Sequence, residues 1–221
     1  MKKKLSVSIN KKIEKFNKKI KIPGDKSCSI RALLLASQCI GESKIFNLLE
    51  STDVLDCCKA LRTLGVKIVK RKNHYSVYGN GLNSFRIKKK ITKLYIGNSM
   101  TTARLISGLC STIPSKFYLY GDASANRRDF MRVIEPLERV GAKFFPRKKT
   151  LPLTIEGTSL PLAQKHVESR GSGQVKSMLL LSALSTPGIT TVEELKEKSS
   201  RTHTEIFLKK IGCDIKFKKT K

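Results

Sequence analysis

Tryptophan is absent, histidine occurs three times, and aromatic residues make up only 6% of the 221 positions. Proteins that grip single-stranded nucleic acid stack bases on such rings, so their scarcity argues against that kind of surface. No apolar run approaches the roughly 18–20 residues that a membrane helix needs. The longest, 32–36 and 178–181, are each broken by polar neighbours. The opening Met1-Lys2-Lys3-Lys4-Leu5 has a basic head with no apolar stretch behind it, so no signal peptide is expected and a soluble, cytoplasmic chain is. The six cysteines (Cys28, Cys39, Cys57, Cys58, Cys110 and Cys213) show no C-x-x-C and no regular spacing. With His74, His166 and His203 scattered among them, neither a disulfide framework nor a zinc site is expected. Several of these cysteines sit among Leu, Ala and Ile, where the thiol acts as a small buried hydrophobe. Seven prolines and 14 glycines are too few for a collagen-like or low-complexity chain.

Negative charge is scarce too. Against 17 Asp and Glu stand 45 Lys and Arg, a formal net charge of +28. Such a field would hold nucleic acid non-specifically, and it would equally steer a small anionic substrate. The cations are spread along the whole chain, in 2–4, 11–21, 70–72, 88–93, 147–149 and 216–221. No RNA-binding aromatic signature accompanies them, and a nucleic-acid partner is not expected.

What the chain has in place of these features is an internal repeat. Residues 31–50, 104–122 and 177–195 each read as an apolar helix-like run, a turn and an alternating strand, and their starts lie 73 residues apart. A second shared element follows at 60–81, 136–157 and 207–221: the end of an amphipathic helix, a glycine stop (Gly65, Gly141, Gly212) and a strand. In the first two copies a basic turn and another strand follow, at 75–78 and 151–155. The expected fold is α/β, of the α+β type, in three units covering about 21–95, 96–168 and 169–221. The third copy stops where its last strand should begin, so the chain is expected to be part of a larger protein. Residues 1–20 belong to no copy, and the alternation in Leu5-Ser6-Val7-Ser8-Ile9 suggests a strand that pairs elsewhere.

Polar clusters stand directly before each apolar helix. They are Pro23-Gly24-Asp25-Lys26-Ser27-Cys28-Ser29-Ile30-Arg31, Gly97-Asn98-Ser99-Met100-Thr101-Thr102-Ala103-Arg104, and Gly171-Ser172-Gly173-Gln174-Val175-Lys176-Ser177. Each combines a glycine, hydroxyl residues and a cation at a helix start, where free N–H groups and the helix dipole favour anions. One such cluster reads as an ordinary cap; three in the same place in three repeats read as a shared anion site. A fourth, Gly121-Asp122-Ala123-Ser124-Ala125-Asn126-Arg127-Arg128-Asp129, supplies adjacent arginines, suited to carboxylate or phosphate.

These motifs, followed by Ser200-Arg201-Thr202-His203-Thr204-Glu205, occur in the order that resembles the 5-enolpyruvylshikimate-3-phosphate synthase family. The related UDP-N-acetylglucosamine enolpyruvyl transferases lack the Lys-Ser-x-Ser-x-Arg opening. The resemblance runs from about residue 20 to the end and implies βαβαββ-type units forming one of two closing domains, with residues 1–20 belonging to the other. It implies transfer of the enolpyruvyl group of phosphoenolpyruvate to the 5-hydroxyl of shikimate 3-phosphate, with no metal and no organic cofactor. Lys26, Ser27 and Arg31 would bind shikimate 3-phosphate, Lys26 also reaching phosphoenolpyruvate. Ser172, Gln174, Ser200 and Arg201 would complete that subsite, while Arg128, Gln174 and the turn at 98–101 (Asn98, Met100, Thr101) would hold phosphoenolpyruvate.

The pattern departs from the family at three places. Met100 stands where Gly or Ala is usual, which implies a smaller pocket, weaker phosphoenolpyruvate binding and poor inhibition by glyphosate. Gly173 replaces Ser or Ala. Asp129 and Phe130 replace Pro-Met after the arginine, setting a carboxylate beside a site for anions. The family's acid/base carboxylates and the second-domain cations have no counterpart before residue 221, so turnover is expected to need a C-terminal half or a second polypeptide. The competing expectation is a non-catalytic remnant that binds anions or nucleic acid through its basic surface.

Overall fold

The computed structural model describes residues 6–216 apart from 13, 16, 88 and 196–198. The first unit contains α1 (Lys26–Gln38), β1 (Ile40–Phe46), α2 (Thr52–Thr63), β2 (Lys67–Lys70) and β3 (His74–Asn80). The second runs β4 (Ile91–Tyr95), α3 (Met100–Ser111), β5 (Lys116–Tyr120), α4 (Met131–Val140), β6 (Lys143–Phe145) and β7 (Leu153–Glu156). The third has β8 (Lys165–Glu168), α5 (Gly173–Ala183), β9 (Thr191–Glu194) and α6 (His203–Lys210). Helices α1, α3 and α5 begin 74 and 73 residues apart, in agreement with the repeat.

The apolar runs become interior helices because they are hydrophobic nearly all round. Every residue of α3 except Arg104 is buried. In α1 and α5 the buried sets include Ile30, Leu33, Leu34 and Leu35, and Val175, Met178, Leu179 and Leu181. The helices α3 and α5 approach closely at Gly108, where a Cβ would stand 2.2 Å from the Met178 carbonyl oxygen. Each unit contributes its own small sheet around this helical interior: β1-β3-β2, β4-β5-β7-β6 and β8-β9. Strands β4 and β5 are parallel, as are β8 and β9, and α3 and α5 form the crossovers that parallel pairing requires. The remaining neighbours are antiparallel, β1 meeting β3 from Ile40 opposite Asn80 to Phe46 opposite His74. The stops at Gly65, Gly141 and Gly212 all have positive φ (84°, 112° and 88°), as expected of C-terminal glycines.

Only the second unit shows the full βαβαββ order among the described residues. No strand forms at 6–9, where Val7 and Ile9 are 80% and 89% exposed, and Leu5 lies outside the described residues. A strand needs a neighbour to take its N–H and C=O groups, and this segment has none here. The strand expected after Gly212 is likewise absent over 213–216, and 217–221 lie outside the described residues. Its counterparts β2 and β6 pair solely with β3 and β7, and no such third-unit strand is present among the described residues. The strand expected over 151–155 starts instead at Leu153, because Pro152 has no N–H to give to the ladder.

Candidate substrate-binding site

The three interior helices start alike. Asp25 caps α1, its Oδ1 accepting the Cys28 N–H at 2.7 Å. Ser99 caps α3 through Thr102 N–H (3.3 Å), and Ser172 caps α5 through Val175 N–H (3.4 Å). The turn before α3 is held by contact rather than by sequence preference alone. Gly97 has φ +57°, and a Cβ there would lie 2.1 Å from Asp56 Oδ2. Its carbonyl accepts the Asp122 N–H (2.9 Å), which docks the 121–128 loop onto the turn.

Side chains then tie these starts together. Gln174 on α5 donates from Nε2 to Thr101 Oγ1 on α3 (3.0 Å) and accepts at Oε1 from the Arg104 guanidinium. Arg31 on α1 donates from Nη2 to Ser177 Oγ on α5 and from Nε to Thr204 Oγ1 on α6, both at 2.8 Å. Its Nη1 donates to Ser27 Oγ (2.6 Å) and to the Ser27 carbonyl (3.0 Å). Arg128 donates to Asn98 Oδ1 (3.1 Å), and Asn98 donates in turn to Asp122 Oδ2 (3.0 Å). Gly173 faces Ser200: a Cβ at Gly173 would meet Ser200 Oγ at 3.3 Å and the Arg201 carbonyl oxygen at 3.5 Å. Thus Ser27, Arg31, Thr101, Ser172, Gly173, Gln174, Ser200 and Arg201, from segments up to about 170 residues apart in sequence, belong to one neighbourhood.

Several residues take roles that the sequence motifs did not specify. Arg31 is buried at 4% exposure and spends four of the five N–H donors of a guanidinium on protein atoms, so it chiefly positions Ser27, Ser177 and Thr204. Lys26 lies half-exposed and pairs with Asp53 at 2.9 Å, leaving its ammonium at the rim. Met100 is 4% exposed and part of the apolar core, so its bulk is taken up by packing. Asp129 accepts the Met131 N–H at 2.8 Å at the start of α4, and Phe130 is fully buried. Its carboxylate thus has a local partner, the opening of a helix.

Three participants were not among the expected site residues: Arg104, Lys176 and Glu205. Lys176 is buried and bridges Glu194 and Glu205, each at 2.7 Å. Glu194 in turn accepts the Ser200 N–H (3.0 Å), which fixes that loop. Burial would raise the Glu194 carboxyl, but hydrogen bonds from Lys176 and Ser200 outweigh it and hold the group below its ordinary value. Burial also lowers the Arg104 guanidinium, aided by repulsion from Arg132 and Arg128, and burial lowers that of Arg31. Both remain cations, since an arginine starts so far above neutral pH. Two polar atoms of this neighbourhood are buried without a protein partner, Arg104 Nε and Ser200 Oγ. Buried polar atoms are normally satisfied, so an unpaired cationic N–H and a hydroxyl here suit an oxyanion. Two cavities, of about 630 and 420 Å³, lie elsewhere, beside Arg62 and Arg86 and beside Phe46 and His74.

An α/β domain of three related units, with three helix starts, two buried arginines and a shared amide at one place, defines a class built around multiply charged oxyanions. The match to known proteins names the family within that class. The family model for EPSP synthase (3-phosphoshikimate 1-carboxyvinyltransferase) matches residues 10–221, and the chain belongs to that family. It is 38% identical over 212 residues to a 3-phosphoshikimate 1-carboxyvinyltransferase of Nitrobacter winogradskyi, covering 93% of this chain and 46% of that one. A Bradyrhizobium protein of the same name is 39% identical over 199 residues, 89% of this chain and 44% of the relative. Among solved structures, EPSP synthase from Acinetobacter baumannii superposes with a TM-score of 0.83 at 33% identity, over 90% of this chain and 44% of that chain. The chain therefore spans under half the length of the relatives it matches.

Proposed function

We propose that this chain forms the phosphoshikimate-binding half of an enolpyruvyl transferase. The observation that carries the reading is the single hydrogen-bonded neighbourhood joining three repeated helix starts, with Arg104 Nε and Ser200 Oγ left for a ligand. Shikimate 3-phosphate is held by Lys26, Ser27, Ser172, Gln174, Ser200 and Arg201, with Arg31 positioning Ser27. Phosphoenolpyruvate is held by Arg128, Asn98, Thr101, Lys26 and Gln174. Charge-assisted contacts of this kind contribute roughly 1.5–3 kcal/mol each and orient the two reactants for a bimolecular step.

In the reaction, the 5-hydroxyl adds to the enolpyruvyl carbon while the methylene takes a proton. The tetrahedral adduct then expels phosphate and returns a proton to restore the vinyl ether. This chain binds and orients; the proton-transferring groups and the second wall that excludes water come from the other half of the fold, in the same or a second polypeptide.

Titration calorimetry at about 0.15 M salt tests the reading. Shikimate 3-phosphate should bind, and Gln174→Ala should weaken it about tenfold, the loss of a ~1.4 kcal/mol contact. Absence of saturable binding, together with sequence-indifferent RNA binding that collapses as salt rises, would replace it with the basic-surface reading.

A further inference from the structure

The fold assembles a set of metal ligands that no spacing rule would find. Asp25 and Cys28 lie at the start of α1, and His203 opens α6, 175 residues from Cys28. One ligand atom from each, a carboxylate oxygen, Sγ and an imidazole nitrogen, lies within 4.8 Å of the other two. Cys28 Sγ and His203 Nδ1 are 3.8 Å apart, and His203 makes no other hydrogen bond among the described residues. With bond lengths of about 2.0–2.3 Å, two ligands on a tetrahedral zinc stand about 3.3–3.7 Å apart. The thiol and the imidazole are therefore already near that edge length.

We propose that Asp25, Cys28 and His203 form a site for a thiophilic divalent cation of the zinc type. Sulfur, nitrogen and oxygen donors together suit zinc and its soft analogues over magnesium or calcium, which prefer all-oxygen shells. Asp25 serves as helix cap through one carboxylate oxygen, and a carboxylate has about four lone-pair positions, so capping does not exhaust it. Asp25 is exposed, while Cys28 and His203 are half-buried, which leaves a fourth position open to water. Binding would displace the thiol proton into solvent and form an S–metal bond, with no change of oxidation state. The cation would staple α1 to α6 beside Ser27 and Thr204, the two side chains that Arg31 already links. Arg31 and Arg201 stand close enough to oppose added positive charge, which favours a site that exchanges its metal over one that locks it in.

The test titrates cadmium into the metal-free, reduced full chain and follows the ultraviolet sulfur-to-cadmium charge-transfer band. The band should saturate at one equivalent and vanish in Cys28→Ser, while Cys39→Ser and Cys213→Ser keep it. His203→Gln should retain the band with affinity at least tenfold weaker. A variant-free measurement accompanies these: zinc should protect Cys28 from alkylation by iodoacetamide in the wild type, as read by peptide mass spectrometry, whereas Cys39 stays reactive. No band at one equivalent, a band that survives Cys28→Ser, or alkylation of Cys28 unchanged by zinc would each overturn the site.

Discussion

Replacing Lys176 by Met probes the buried charge cluster that sets the shape of the site. The ammonium is 6% exposed and lies 2.7 Å from both Glu194 and Glu205, whose side chains are 16% and 6% exposed. Methionine matches the aliphatic stem in volume, so the substitution removes the charge with little loss of packing. Two carboxylates then share a largely dry place with no cation between them. Breaking a buried pair in this way costs about 3–5 kcal/mol, because the abandoned charge keeps its desolvation penalty. Glu205 Oε2 already lacks a partner, which leaves it nothing to fall back on. Urea unfolding followed by circular dichroism should show the midpoint fall at constant slope. The combined variant with Glu205→Gln should regain part of the loss, since a neutral amide tolerates burial better. A cost under about 1 kcal/mol, or no recovery in the double variant, would show that the cluster is solvated and refute the argument.

The remaining expectations concern acid, a turn and a core side chain. The Glu194 carboxyl is held below its ordinary value of 4.5, so its contribution is present above that pH and lost as pH falls through the lower, folded value. Glu194→Gln should accordingly flatten the acid limb of the stability profile, measured by melting temperature from pH 7 to pH 3. Gly97→Ala should cost at least about 1–3 kcal/mol, because the residue has φ +57° and its Cβ would enter Asp56; an unchanged melting temperature would contradict the turn geometry. Met100→Ala should cost about 2–5 kcal/mol as a buried truncation. If phosphoenolpyruvate or glyphosate affinity rises instead, with stability unchanged, the side chain belongs to the site and not to the core.

Local signals carried a large part of the architecture. Hydrophobicity on all sides of three 73-residue-spaced runs marked interior helices, and glycine stops marked where their partners end, since both depend on nearest neighbours along the chain. The helix-start clusters were legible for the same reason: capping is a property of three or four consecutive residues. Pairing was not legible in this way. The segment at 6–9 alternates like a strand and stays unpaired, and that at 213–216 stays unpaired too, because a strand exists only where another edge receives it.

The sequence by itself determined the repeat, the interior helices, the charge and the residues placed at each helix start. Tertiary structure alone decided what those residues do. Arg31 looked like a free phosphate ligand and turned out to spend most of its donors on Ser27, Ser177 and Thr204. Lys176 looked like one more surface cation and is buried between two glutamates. Cys28 and His203, with no spacing to connect them, come within 3.8 Å. The reason is physical: propensity and capping act over a single turn, whereas burial, charge pairing and ligand geometry depend on which distant segments the packed core brings together.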